Sequence, residues 1–139
     1  MFYSNKKVFI SGGAGFIGSH LLDELIKQDA KITVGDNLSS GSLNNIFRIW
    51  KKHNVPYRKT GWGYHAADGH RFILVDFQKF DETAKAINNH EVVFHLASNF
   101  GGRGYINTHP ADCCENFSIN QNVIKAAHLV GVDRIQFAS

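Results

Sequence analysis

The chain reads as an α/β protein: a doubly wound parallel sheet of about five strands in the order 3-2-1-4-5. Three observations predict it. Short β-branched or aromatic runs alternate with segments of helical periodicity, the pattern that parallel strands joined by crossover helices require. The first run passes straight into a turn carrying Gly12, Gly15 and Gly18. The second ends on an acid, Asp36, about 20 residues beyond that turn, the spacing of a Rossmann-type dinucleotide site.

Each element can be justified in order. Lys7 to Ser11, KVFIS, is apolar enough to be buried on both faces, as a central parallel strand must be. In the turn, Gly12 suits a tight bend, Gly15 a close approach of backbone to ligand, and Gly18 close packing of helix on strand. The helix that follows, with Ile17, Leu21 and Leu25 at four-residue intervals and Leu22 and Ile26 beside them, should lay an apolar face on the sheet. Its N-terminus, with Phe16 and Ile17 in the first turn, offers unpaired N–H groups and about half a positive charge to a pyrophosphate.

Ile32, Thr33 and Val34 form the second strand, which ends at Gly35 and Asp36. The Asp36 carboxylate can accept from a ribose 2′-OH. It would repel a 2′-phosphate by about 4 kcal/mol per unit-charge pair at about 4 Å and ε near 20, so NAD is favoured over NADP. The competing reading is an acid that only caps the next turn. After the turn at Ser39 to Ser42, Leu43, Ile46, Phe47 and Trp50 fall at helical spacing and read as a packing face. Residues 53–70 hold Pro56, Gly61, Gly63 and Gly69, and read as a long loop, either a lid or a plain insertion.

Arg71 to Val75 is the third strand, with Asp76 and Phe77 at its C-terminal end, where they could frame an adenine. Asp81 is expected to cap a short helix running to about Asn89. Glu91 to Ala97 is the fourth strand; His95 within it is read as packing or hydrogen-bonding internally rather than catalysing. The loop Ser98 to Pro110, SNFGGRGYINTHP, either aims backbone amides and Arg103 at a phosphate or is merely flexible. Pro110 suits a first helical turn and Gly131 a C-terminal stop, giving a helix over 111–130, and Arg134 to Ala138 is the fifth strand.

Composition narrows the function classes. With 139 residues, 43% of them hydrophobic and 19% charged, the chain suits a single globular domain, 1–139. No apolar run reaches the roughly 18 residues of a membrane span, and the start MFYSNKK lacks a signal core, so no membrane partner and a cytoplasmic location are expected. Arg48, Lys51, Lys52, Arg58 and Lys59 are read as a solvated basic helix end, so no nucleic acid is expected. Adjacent Cys113 and Cys114 suit neither zinc nor a redox pair, and His65 with His70 lacks the partners of a tetrahedral metal set.

Taken together the motifs resemble one family, the extended short-chain dehydrogenase/reductases, and within it the NAD-dependent nucleotide-sugar epimerases and dehydratases. Residues 11–18, SGGAGFIG, look like the family's TGxxGxxG turn, and residues 36–41, DNLSSG, resemble its ribose-binding segment. Asp76-Phe77 falls at its adenine position, and His95-Leu96-Ala97 resembles its HLA segment along the cofactor. Asn116, with Asn122 and Ala126-Ala127 following, is similar to the asparagine opening its NVxGTxN helix, and residues 131–139, GVDRIQFAS, are close to its approach to the active site.

The resemblance implies NAD as cofactor, with Gly12, Gly15, Phe16, Ile17, Gly18, Asp36, Asn37, Asp76, Phe77, Leu96, Ala97 and Asn116 around it. It implies a nucleotide-sugar substrate in the full-length parent and a possible homodimer through helix 111–130. By the same alignment the family's catalytic Ser or Thr falls just past Ser139 and its YxxxK later still; Tyr3-Ser4-Asn5-Lys6-Lys7 precedes the first strand on the wrong edge. The chain is therefore expected to end after the fifth strand, to carry no catalytic residue, and to bind NAD without turnover. The alternative is a non-catalytic dinucleotide-sensing or scaffold module.

Overall fold

A computed structural model describes residues 1–99 and 103–138. Gly101 and Gly102 of the glycine loop, and Ser139, lie outside the described residues. The described residues form one sheet of seven strands flanked by helices. The strands are β1 (Lys7–Ser11), β2 (Lys31–Asp36), β3 (Tyr57–Thr60), β4 (Gly63–Ala66), β5 (Arg71–Leu74), β6 (Val92–His95) and β7 (Arg134–Phe137). The helices are α1 (Phe16–Ile26), α2 (Leu43–Lys52), α3 (Phe80–Ile87), α4 (Arg103–Thr108) and α5 (Pro110–Val130), with a 3-10 turn at Ala67–Gly69.

The sheet runs β3-β4-β5-β2-β1-β6-β7. Its five parallel members, β5-β2-β1-β6-β7, keep the expected order; the two further strands are new. Residues 53–70 are therefore not one long loop. They contain an antiparallel hairpin, β3 on β4 and β4 on β5, that widens the sheet at the β5 edge. Aromatic packing holds it there: Tyr57 stacks on Phe47 of α2 at 4.5 Å with rings 8° apart, and Tyr64 meets the same ring edge-on at 4.9 Å.

Two apolar clusters sandwich the sheet. Val8, Ile10, Leu22, Leu25, Ile32, Val34, Ile46 and Trp50 fill the side under α1 and α2; Phe9, Phe77, Ile87, Val93, Ile119 and Val123 fill the side under α3 and α5. The buried stripe of α1 runs through Gly18, Ser19, Leu22 and Leu25 rather than Ile17 and Leu21. Ile17 instead is 69% exposed, because a helix entering from a tight turn presents its first residues to the open sheet edge.

One N-cap differs from expectation. Lys79 precedes α3 with no side-chain cap, and Asp81 lies inside the first turn with Glu82, where both complement the helix dipole. Glu82 also reaches back, accepting from the Asp76 N–H at 3.1 Å. Helix α5 behaves as read: Pro110 sits in its first turn, and Gly131 closes it at φ 76° with its N–H donated back to the last turn. Among the described residues no helix is long and apolar enough to cross a membrane.

Candidate functional site

All five parallel strands end at one edge of the sheet, and the order reverses between β1 and β6. A crevice opens at such a reversal because the connecting helices leave in opposite directions. Here it is a cleft of about 590 Å³, within the range of small-ligand and cofactor sites. Gly12, Gly15, Phe16, Ile17, Gly18, Asp36, Asn37, Asp76, Phe77, Leu96 and Ala97 all line it. Of the twelve residues anticipated around NAD, Asn116 is the one not in the lining.

The glycine corner shows why those positions lack side chains. Gly12 has φ +73°, and a Cβ there would lie 2.7 Å from the Ala97 nitrogen. At Gly18 a Cβ would strike the Gly12 oxygen and the Gly13 Cα, both at 2.5 Å. Gly15 is different. A Cβ there would meet only the Gly12 oxygen, at 3.4 Å, and would otherwise stand in the cleft. The first two glycines are needed by the fold, and the third leaves room for an occupant. Helix α1 supplies what that occupant would meet, since Gly15 offers no side-chain cap and the first turn holds no acid. Its first intrahelical bond is Ser19 N–H to Gly15 O at 3.0 Å, which leaves the N–H groups of Phe16, Ile17 and Gly18 for an anion.

Asp36 ties this corner to the next wall. It is buried, one carboxylate oxygen accepting from the Ala14 N–H at 3.0 Å and the other from the Leu38 N–H at 2.8 Å. It thus caps the following turn and also lines the cleft. The Ala14 carbonyl in turn accepts from the Ser42 N–H at 3.0 Å and from Asn45 Nδ2 at 2.9 Å. Segment 37–42 is thereby clamped to the corner, which brings Ser39, Ser40 and Gly41 into the lining beside Asn37. Asp76 and Phe77 form the far wall. Phe77 is buried against Phe9, and one oxygen of Asp76 accepts from the Gln78 N–H at 3.0 Å.

The floor, Leu96 and Ala97, is fixed by a buried network. Ser11 Oγ accepts from both their N–H groups, at 3.1 and 3.2 Å, and so must donate to His95 Nδ1 at 2.6 Å. His95 Nε2 then carries the proton and donates to Asn120 Oδ1 at 2.9 Å. Burial pushes the His95 pKa down, which keeps the ring neutral in this role. His95 thus positions the cleft floor and has both nitrogens engaged.

Asn116 lies outside the cleft lining and is engaged by the loop after β6. Its Oδ1 accepts from the Asn99 N–H at 2.6 Å and its Nδ2 donates to the Asn99 carbonyl at 2.9 Å, so the side chain pairs with one backbone residue at both ends. Tyr105 donates to Asn99 Oδ1 at 3.0 Å. This cluster carries Ser98, Asn99, Tyr105 and Glu115 into the cleft wall, none of which was among the residues expected around the cofactor. No spacing signals an Asn–Asn pair that depends on where a loop lies. Arg103 begins α4, exposed and outside the lining. Among the described residues there is no group of His, Cys, Asp and Glu able to hold a metal.

Comparison with known proteins gives a consistent set of relatives. The family described as NAD dependent epimerase/dehydratase matches residues 8–139. A UDP-N-acetyl-alpha-D-glucosaminuronate decarboxylase of Bacillus cytotoxicus is 30% identical over 136 residues, covering 96% of this chain and 36% of the relative. GDP-mannose 3,5-epimerase 1 of Oryza sativa subsp. indica is 31% identical over 137 residues, covering 96% and 30%. The crystal structure of UDP-glucose 4-epimerase from Thermus thermophilus in complex with NAD superposes with a TM-score of 0.73 at 26% identity, covering 96% of this chain and 37% of that one. The chain thus spans about a third of the length of the relatives it matches.

Proposed function

Since the chain belongs to the NAD dependent epimerase/dehydratase family, we propose that it is the NAD-binding portion of a nucleotide-sugar epimerase or dehydratase, and that it binds NAD in the cleft above the glycine corner. The observation that carries this is Gly15. A site where a Cβ meets little protein yet would project into a cleft, in front of a helix N-terminus with no acid in its first turn, suits a bound pyrophosphate. Asp36, at the end of β2, would accept from the adenosine ribose hydroxyls and would disfavour a 2′-phosphate. Asp76, with one oxygen left for a donor, and Phe77 would hold the adenine; Leu96 and Ala97 would support the nicotinamide side.

Bound NAD supplies a reversible hydride acceptor. This chain's own residues bind, orient and keep the cleft floor rigid through Ser11, His95 and Asn120. The acid–base groups that would act on a sugar are proposed to belong to the parent protein rather than to this chain, so that the isolated chain binds without turnover. Relatives with decarboxylase and epimerase names stand at similar identity, and the proposal stays at nucleotide-sugar chemistry without choosing between them. Single-domain organisation over 1–139, a cytoplasmic location and self-association through α5 are parts of the same proposal.

A backbone amide NMR titration with NAD tests it. Shifts are expected to concentrate on residues 12–18, Asn37, Phe77, Leu96 and Ala97. Saturating shifts confined to other regions, with these amides unmoved, would reject the assignment.

A further inference from the structure

A second cleft, of about 390 Å³, lies at the opposite end of the strands from the cofactor cleft. The length of β1 separates the two, about 15 Å at roughly 3.3 Å per residue. Its wall is set by strand register. Lys7 pairs with Lys31, Arg71 pairs with Thr33, and His65 pairs with Arg71, so these side chains share one face of the sheet. Helix α3, which covers that face further along, ends at Ile87 and leaves the strand starts open, with Asn89 and His90 forming the rim.

The lining holds Lys7, Lys31 and Arg71 but no carboxylate. Among the described residues none of these three joins an ion pair. Two neighbouring acids lie outside the lining: Glu91, which accepts from the Lys7 N–H and from Lys6, and Asp68, which sits beside His70 in the 3-10 turn. Lys7 also feels the Glu91 carboxylate, whereas Lys31 and Arg71 have no paired acid, so the lining carries an excess of positive charge that an anion would offset.

His70 is the second, independent sign. It is 4% exposed and lines the cleft. Strand β5 starts one residue too late to pair with Ile32, and His70 Nδ1 takes the place of the missing strand partner, accepting the Ile32 N–H at 3.3 Å. With Nδ1 an acceptor, Nε2 carries the proton, and that donor has no protein partner among the described residues. His90 is spent differently: its Nδ1 donates to the Ile87 carbonyl at 3.0 Å and its Nε2 accepts from Thr33 Oγ1 at 2.9 Å.

We infer that this cleft is a second anion site, which takes a phosphate group, free or as the phosphomonoester of a small metabolite, on Lys7, Lys31, Arg71 and His70 Nε2–H. Its concave shape and size fit a small ligand better than a duplex or an extended strand. The site is independent of NAD binding in the other cleft.

The test is an NMR titration of the chain with inorganic phosphate and, separately, with a nucleoside 5′-monophosphate. Saturable shifts at Lys31, His70, Arg71 and Asn89 are expected, distinct from any at residues 12–18, with affinity falling at least tenfold in Lys31→Gln/Arg71→Gln. Both side chains are exposed, and the single Lys31→Gln serves if the double variant loses its folded spectrum. Equal affinity for the two probes would identify phosphate itself as the occupant; a tighter monophosphate would identify a phosphomonoester. Linear, non-saturating shifts, an affinity untouched by the substitutions, or preference for a single-stranded oligonucleotide over both probes would overturn the inference.

Discussion

Replacing Gly15 by alanine separates binding from folding. At Gly15 the backbone has φ −79° and ψ −176°, an extended conformation open to any residue, and the new Cβ would meet only the Gly12 oxygen at 3.4 Å. Alanine is a poorer N-cap than glycine, so the cost to stability is about 1 kcal/mol, a few degrees in Tm for a domain of this size. In the proposed complex, however, that methyl group takes the space of a phosphate oxygen. Losing two charge-assisted hydrogen bonds at about 1.5–3 kcal/mol each removes at least about 3 kcal/mol, more than a hundredfold in Kd. Gly18→Ala is the control, since its Cβ would lie 2.5 Å from backbone atoms that cannot step aside. Helix propensity returns about 1 kcal/mol there, but displacing turn backbone costs more than that. Calorimetry for NAD affinity and thermal melts for Tm read both effects. Gly15→Ala should melt near the parent and bind at least a hundredfold more weakly, whereas Gly18→Ala should melt well below it. Parent-like NAD affinity in Gly15→Ala would refute the assignment of the pyrophosphate to this corner.

Further outcomes follow from the same geometry. Asp36→Asn should narrow the preference for NAD over NADP by at least tenfold, because the charge that repels a 2′-phosphate is gone, and should cost about 1 kcal/mol of stability through its weaker bond to Ala14 or Leu38; paired titrations with the two dinucleotides check it. His70, His90 and His95 are all held below the ordinary histidine pKa by burial, so the unfolded chain binds more protons as pH falls through about 6.5. Urea unfolding should therefore give lower stability at pH 5.5 than at 7.5, and a flat profile would contradict the buried neutral rings. Asp23 joins α1 to α2 through Lys52 at 2.6 Å and His53 at 2.5 Å, and those hydrogen bonds lower its pKa to about 2. Its contribution is complete above about pH 5 and is lost as pH falls toward 2; with Lys52 half exposed, screening leaves about 1 kcal/mol, which Asp23→Asn should forfeit at pH 7.

The parallel part of the sheet was legible because buried strands and their crossover helices write strong periodic signals. Runs such as KVFIS and the glycine spacing state both an element and its neighbour's constraints. The hairpin at 57–66 was not legible, for the opposite reason. Tyr57–Thr60 is an edge strand, largely exposed, and its Arg58 and Lys59 are the charges that keep such an edge from pairing with another chain. Its one available signal was spacing: two short runs separated only by Gly61 and Trp62, with aromatics placed to stack on α2. The cleft walls divide the same way. Gly12, Gly15, Asp36 and Asp76 follow from local turn chemistry, but Asn99, Tyr105 and Glu115 reach the cleft through side-chain pairing between the loop and the helices, with Asn116 holding Asn99.

The central claim, that this chain is an NAD-binding unit, is tested most directly by isothermal calorimetry of the 139-residue chain with NAD and NADP. The predicted result is saturable one-to-one binding of NAD, with NADP at least tenfold weaker. No saturable heat with NAD, in a sample whose circular dichroism shows the fold intact, would contradict it.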